Sequence, residues 1–266
     1  MSAASDLQVA GLSVHYRGRP VITGLDLPPL RRARVTALVG PNGAGKTTLL
    51  KALAGLVPAS GTLQLGDQAL HRMRPAERAR HVGYMPQFAA EGVELTVLES
   101  LLAALRTQRS SAGAQTAPAL ERAHALLERL GIGALALRPL DALSGGQRQL
   151  VSLAQSVVRE PGVLLLDEPT SALDLRHQAL VMSTARALAL QGRIVIAVLH
   201  DLNLAARWAD DIVVLQQGRL HASGTPAQTL TPAMLSAVYG VQARTETCSA
   251  GWLQIMVDGA APVGVP

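Results

Sequence analysis

The sequence predicts an α/β fold: buried strands and helices around a phosphate-binding loop, with a strand-rich N-terminal region and a helical insertion. Three observations predict it. First, Gly40-Pro41-Asn42-Gly43-Ala44-Gly45-Lys46-Thr47-Thr48 matches G-x-x-x-x-G-K-[ST] between an apolar run at 35–39 and a helical run at 49–54. Second, the latter half alternates short apolar runs with helical segments, the pattern of parallel strands buried on both faces. Third, strand signals stop over residues 89–160 and helical spacing replaces them. The expected organisation is one domain, with 1–88 and 161–266 as catalytic core and β region and 89–160 as a helical subdomain.

Taken in order, residues 7–9, 12–16, 21–27 and 35–39 read as short strands, separated by turn signals such as Arg17-Gly18-Arg19-Pro20. Gly55 and Pro58 close the helix after the phosphate loop. Residues 62–65 and 82–85 read as further strands, and Pro86-Gln87-Phe88 leaves a polar side chain at a strand end. Thr96-Val97-Leu98-Glu99 is a capping box ahead of 101–105. Residues 106–118, rich in Ser, Ala, Gly and Gln, read as a mobile connection. Residues 119–130 carry one apolar face at Ala123, Leu126, Leu127 and Leu130. A helix from Ser144 to about 159 follows, then a strand at 163–167, a helix at 174–190, a strand at 194–199 and a short helix at 201–208. Strands at 211–215 and 219–223 join through Gln217-Gly218. The tail holds a short helix near 233–239 and a last strand at 252–257, and no repeat is visible.

Composition narrows the function classes. At 266 residues with 48% apolar content, the chain buries a substantial core and is not disordered. No apolar run is long enough to span a bilayer, and no signal peptide is visible at the start. Cys248 is the only cysteine, which precludes an intramolecular disulfide and fits a reducing compartment. The net charge of +5 comes from scattered arginines, and all but Lys46 and Lys51 of the 24 basic side chains are Arg. With no basic run and only 2% aromatic residues to stack bases, no nucleic-acid partner is expected.

The chemistry concentrates in a few stretches. Gly40, Gly43 and Gly45 let the backbone turn tightly and aim N–H groups inward, where the helix N-terminus adds its partial positive charge. Lys46 can reach the β- and γ-phosphates, and the Thr47 hydroxyl can sit on Mg²⁺. Chance glycine punctuation would not bring the flanking strand and helix with it. Residues 163–169 form an apolar run that ends in two carboxylates, Asp167 and Glu168. A buried carboxylate needs a partner, and Mg²⁺ between Thr47 and a nucleotide supplies one for Asp167. Glu168 is then placed to take a proton from an attacking water. Leu143-Ser144-Gly145-Gly146-Gln147 opens a helix that Ser144 can cap, and the two glycines permit close approach of phosphate oxygens. That is a second anion site, most simply explained by two copies meeting head to tail, with Ser171-Ala172-Leu173-Asp174 near the seam. His200 ends a strand and can touch the γ-phosphate, a role that rests on its company.

These stretches together resemble the ATP-binding subunit of ABC transporters over nearly the whole chain. The resemblance implies an ABC-type P-loop ATPase core, with an N-terminal antiparallel β region and an inserted helical subdomain. Walker A corresponds to residues 40–47, the Q-loop to Gln87, the signature to Leu143–Gln147 and Walker B to 163–167, with Glu168 as catalytic carboxylate. The D-loop corresponds to Ser171–Asp174, the switch histidine to His200 and the adenine-stacking aromatic to Tyr16. LSGGQ at this spacing is highly specific to that class. Leu199-His200-Asp201-Leu202-Asn203-Leu204-Ala205 and the tail from Gly224-Thr225-Pro226 to Val238-Tyr239-Gly240-Val241 resemble the siderophore, haem and vitamin B12 importer branch. One departure stands out: Ala33-Arg34 occupies the turn where the family usually has Gly-Glu.

By that resemblance, two copies sandwich two ATP molecules with Mg²⁺, and Glu168, His200, Lys46 and Gln87 serve catalysis. Gln87 joins the Mg²⁺ ligands Thr47 and Asp167 and links them to the helical insertion. Two membrane permeases and a periplasmic substrate-binding protein would complete an importer on the cytoplasmic face of a bacterial inner membrane. An exporter subunit is the main alternative. A DNA-repair ATPase would need a long coiled coil, a ribosome-acting factor two cassettes in one chain, and a nucleotide kinase no signature stretch.

Overall fold

The computed structural model describes residues 6–16, 18–87, 94–106, 116–171 and 173–261. The chain opens with strands β1 (Leu7–Tyr16), β2 (Arg19–Leu30) and β3 (Arg34–Val39), then helix α1 (Lys46–Ala54). Strands β4 (Ser60–Leu65) and β5 (Gln68–Ala69), helix α2 (Pro75–Arg78) and strand β6 (Val82–Met85) follow. Helices α3 (Val97–Arg106), α4 (Thr116–Arg129) and α5 (Gly145–Val157) come next. The chain then alternates through β7 (Val163–Asp167), α6 (Leu175–Leu190), β8 (Ile194–Val198), α7 (Leu202–Trp208), β9 (Asp211–Gln216) and β10 (Arg219–Gly224). It ends with α8 (Pro226–Thr229), α9 (Pro232–Tyr239), β11 (Val241–Thr247) and β12 (Leu253–Ala260).

A six-stranded sheet in the order β10-β9-β3-β8-β7-β6 forms the centre. Its inner neighbours run parallel, and β10 returns antiparallel on β9. Because side chains alternate along a strand, the sheet feeds two cores. Val35, Ala37, Leu164, Leu166, Val195 and Ala197 join one cluster with α3 to α7 and α9. Leu38, Val163, Leu165, Ile194, Ile196 and Val198 join the other, with α1 and the antiparallel sheet β2-β1-β4-β5. This mixed architecture is the expected fold class.

Several local expectations changed. Residues 7–16 form one strand, not two, with irregular pairing at Leu7/Val9, Val9/Leu12 and Leu12/Val14 that absorbs Gly11. Strand β11 was missed because its burial alternates only between partial and full exposure, so the sequence offers no apolar stripe. The last strand starts at Leu253 and leaves Trp252 in the turn. The capping box at Thr96–Glu99 holds, and Ser144 caps its helix as expected. Thr96 N–H donates to Glu99 Oε2 at 2.8 Å and Glu99 N–H to Thr96 Oγ1 at 3.2 Å. The Gln217-Gly218 turn has φ of 50° and 73°, as a tight hairpin turn requires. Arg17, Phe88, most of the 106–118 connection and Ala172 lie outside the described residues.

The Ala33-Arg34 departure has a physical resolution. Ala33 takes φ 59°, the left-handed region that glycine enters more easily, and its N–H donates to Arg193 O at 3.0 Å. Arg34 Nη1 donates to both Asp211 oxygens at 3.1 and 3.0 Å, tying the starts of β3 and β9 together.

Candidate functional site

The phosphate loop runs from the C-terminal end of central strand β3 into α1, so the backbone N–H groups that open α1 have no helical partners and face a common space. Gly40 is obligatory there, because a methyl group on it would lie 2.1 Å from Leu215 O. Gly43 and Gly45 take φ of 77° and 97°. A concavity of about 240 Å³ forms over the loop, lined by Val21, residues 42–48, Glu168 and His200. Lys46 is 6% exposed and folds back on its own loop, donating to Gly40 O at 2.7 Å and Pro41 O at 2.9 Å. Burial lowers the pKa of its ammonium, while Glu168 and Asp167 pull it back up.

Strand β7 brings the two carboxylates to the same edge. Asp167, 1% exposed, accepts from Thr47 Oγ1 at 2.9 Å and from Tyr84 Oη at 2.9 Å. Burial pushes its carboxyl above the usual carboxylate range, against the pull of those two hydroxyls. Burial also raises the Tyr84 phenol, with the Asp167 charge adding to it. Glu168 has φ 52°, a strained conformation for a side chain with a Cβ. Its carbonyl accepts from Ser171 N–H at 3.2 Å, Ser171 Oγ at 3.0 Å and Gln149 Nε2 at 3.3 Å. So held, its side chain meets Gln87 Nε2 at 2.6 Å and His200 Nε2 at 2.6 Å, one carboxylate oxygen each.

Glu168, His200, Lys46, Thr47 and Gln87 therefore converge, with Asp167 behind Thr47. Gln87 rests on Glu168, rather than on the Asp167 side expected of a Mg²⁺ ligand. Tyr16 ends β1 at 44% exposure and does not line the concavity. Ser144, Gly145, Gly146, Gln147 and Asp174 do not line it either. Ser144 Oγ accepts from Gln147 N–H at 3.3 Å, and Gln147 Oε1 accepts from Ser144 N–H at 3.1 Å, a complete capping box at the start of α5. A methyl group at Gly145 would meet nothing within 4 Å, whereas one at Gly146 would lie 3.5 Å from the His177 ring. His177 donates to Asp174 Oδ1 from its backbone N–H, and its Nδ1 also lies 2.8 Å from that oxygen. Gly146 and Asp174 thus lie on either side of His177, and neither lines the concavity over the phosphate loop.

Tyr84 and Gln149 escaped sequence reading. Tyr84 sits in an apolar strand and reads as core. Gln149 sits mid-helix with no motif around it, and only the fold brings its amide beneath Glu168.

The family model for the ABC transporter matches residues 28–171, from before the phosphate loop to Ser171. The chain belongs to the ABC transporter family. The match stops short of Asp174 and His200. A hemin import ATP-binding protein of Rhodococcus jostii is 43% identical over 243 residues, covering 90% of this chain and 81% of the relative. A cobalamin import ATP-binding protein of Halobacterium salinarum is 37% identical over 244 residues, covering 91% of this chain but only 60% of that longer protein. A solved structure described as an inward-facing, metal-chelate type ABC transporter superposes with TM-score 0.80 at 27% identity, covering 95% of this chain and 97% of its own. As an ABC transporter chain with this phosphate loop, it is of the ATP-binding subunit type. No helix among the described residues is long and apolar enough to cross a membrane.

The donor set suits Mg²⁺. Among the described residues no group of three or more His, Cys, Asp or Glu could hold a metal ion. A cation here would meet the Thr47 hydroxyl, the Asp167 carboxylate and phosphate oxygens, all hard oxygen donors, with Gln87 close by. The buried, under-compensated charge of Asp167 gives such an ion a place.

Proposed function

We propose that this chain is the ATP-hydrolysing subunit of an importer for haem, an iron chelate or vitamin B12, acting as a homodimer around two ATP molecules. The catalytic part rests on one observation above all: Glu168, facing the phosphate-loop concavity, carries Gln87 on one oxygen and His200 on the other. Lys46 leaves its two loop carbonyls for the β- and γ-phosphates, a favourable exchange of neutral acceptors for charged ones. Tyr16 stacks on the adenine. Thr47 and Asp167 would hold Mg²⁺, which would supply charge neutralisation to the phosphates. Water attacks the γ-phosphorus as the bond to the β–γ bridging oxygen breaks. Glu168 takes the water's proton, His200 holds the γ-phosphate, and ADP leaves with the bridging oxygen.

The second half of each reaction chamber comes from the partner copy: Ser144, Gly145, Gly146 and Gln147 cap the γ-phosphate, and Asp174 lines the seam. That none of these residues lines the concavity over their own phosphate loop supports that reading. Residues 89–160 form the unit that grips a permease, and Gln87 passes the state of the γ-phosphate to it. Two permeases and a periplasmic binding protein complete the importer at the cytoplasmic face of the inner membrane. Import, with haem or cobalamin as cargo class, is supported by what the named relatives are said to import.

The test of the catalytic reading is Glu168→Gln. It keeps the shape but turns one carboxylate oxygen into an amide NH₂ and removes the base, so ATP binding should persist while turnover falls about 10²–10⁴-fold. Full hydrolysis in that variant would remove Glu168 from the role. Cargo is tested on the assembled complex, where haem-loaded or cobalamin-loaded binding protein should stimulate ATPase, each against the other.

A further inference from the structure

The stretch Leu199-His200-Asp201-Leu202-Asn203 and the tail beyond Gly224 stand out in the sequence, yet the reaction uses only His200 of them. The fold joins the remainder. Asp201 caps α7, its Oδ1 accepting from the N–H groups of Asn203 at 2.8 Å and Leu204 at 3.0 Å. The Asn203 side chain then turns onto β12. Its Nδ2 donates to Ile255 O at 3.2 Å, and Ile255 N–H donates to its Oδ1 at 2.7 Å. One amide thus meets both backbone groups of a strand residue, as a neighbouring strand would. One turn on, the Arg207 guanidinium lies 4.4 Å from the Trp252 ring centroid and 5.5 Å from that of Trp208. Positions 203 and 207 share a helix face, so α7 is fixed to the C-terminal hairpin at two points.

The connection that carries His200 runs from β8 into this helix. Only Leu199, His200 and Asp201 separate β8 from α7. Strand β8, buried along its whole length, fixes one side of that connection. The other side is α7, a seven-residue helix seated on the core through Ala205 and Ala206 and tied to the hairpin through Asn203 and Arg207. His200 is held 2.6 Å from Glu168, with its side chain 45% exposed. We propose that Asn203 is a positioning residue for His200: its clamp on Ile255 makes the C-terminal hairpin part of the support for the γ-phosphate contact. This rests on the role given to His200 above. Asparagine is required because the clamp needs a donor and an acceptor side by side on a short stem; aspartate lacks the donor and alanine both. The hairpin gains too, since the outward backbone groups of Ile255 would otherwise form an open strand edge.

A mere staple between α7 and the hairpin would change stability and leave turnover alone. The test is steady-state ATPase of the full-length chain carrying Asn203→Ala, Asn203→Asp, His200→Ala or Asn203→Ala with His200→Ala. Asn203→Ala should lower kcat about tenfold at unchanged KM for ATP. A fluorescent ATP analogue should bind it as it binds the wild type. The nearly isosteric Asn203→Asp should fall the same way, and in the His200→Ala background the Asn203 change should cost at most about twofold more. An undiminished loss without His200, or an Asn203→Asp chain that folds and keeps wild-type kcat, overturns the proposal. His200→Ala with wild-type turnover is a separate failure: it removes the role of His200 itself, and that of Asn203 with it.

Discussion

At Asp167, stability and function pull in opposite directions. The carboxylate is buried, and its hydrogen-bond partners among the described residues are two neutral hydroxyls, Thr47 and Tyr84. Burial raises its folded pKa, so its charge destabilises the nucleotide-free fold at neutral pH. Asp167→Asn should therefore raise the melting temperature of the nucleotide-free chain by about 2 °C, and abolish the further rise that Mg²⁺ and ATP give the wild type. The sign with pH follows. As pH falls through the raised folded value toward the ordinary carboxylate range, the wild type becomes neutral at this site and its deficit against the variant shrinks. Paired thermal melts at neutral and mildly acidic pH measure both effects. A variant less stable at neutral pH would mean that the hydroxyl pair more than offsets the burial. The sequence made Asp167 legible because a carboxylate ending an apolar strand is costly without a partner. It could not show Tyr84, whose hydroxyl acquires meaning only when β6 lies parallel to β7.

At the level of elements, legibility followed local chemistry. Strands 82–85 and 163–167 were read to the residue, and Thr96 and Ser144 announced their helices, because apolar runs and capping boxes are short-range signals. The hairpin β11–β12 was only half legible, since its support comes from α7, some fifty positions earlier in the chain. Ala33-Arg34 shows the same limit from the other side. The turn departs from the family pattern, but Arg34 reaches Asp211 on a strand that is distant in sequence and adjacent in the sheet. Both side chains are about a third exposed, so the pair is worth little more than a good surface ion pair. Arg34→Glu, the residue type the family usually has, removes the pair and sets two carboxylates together. It should destabilise by about 1–2 kcal/mol, lowering the melting temperature by about 2–6 °C, with ATPase at 25 °C unchanged. Adding Asp211→Arg should restore most of the loss. Chemical denaturation of the four chains closes this cycle, and additive losses would show that the two residues do not act as a pair.

The whole molecule carries two candidate anion sites, and the residues of the second do not line the concavity of the first. The phosphate loop opens at the C-terminal edge of the central sheet, while the signature serine begins α5 outside that concavity. Within one chain Gln149 of α5 links them through the protein interior, donating to the Glu168 carbonyl. A rigid chain cannot fold one end over the other, so a chamber built from both needs two chains related by a two-fold axis. The reaction is then second order in protein at low concentration. Specific activity should fall in proportion to dilution below the dimer dissociation constant and level off above it. Ser144→Arg fills the second anion site without touching the first. It should leave binding of a fluorescent ATP analogue within about twofold of wild type and remove activity at every concentration. Glu168→Gln, arrested before hydrolysis, should run as a dimer with Mg²⁺ and ATP in size-exclusion chromatography with light scattering, and Ser144→Arg on top of it should return it to monomer. A specific activity independent of dilution, in a sample shown by light scattering to be monomeric, would place the whole chamber inside one chain. The separation of Ser144 from the phosphate loop would then have to close by internal motion.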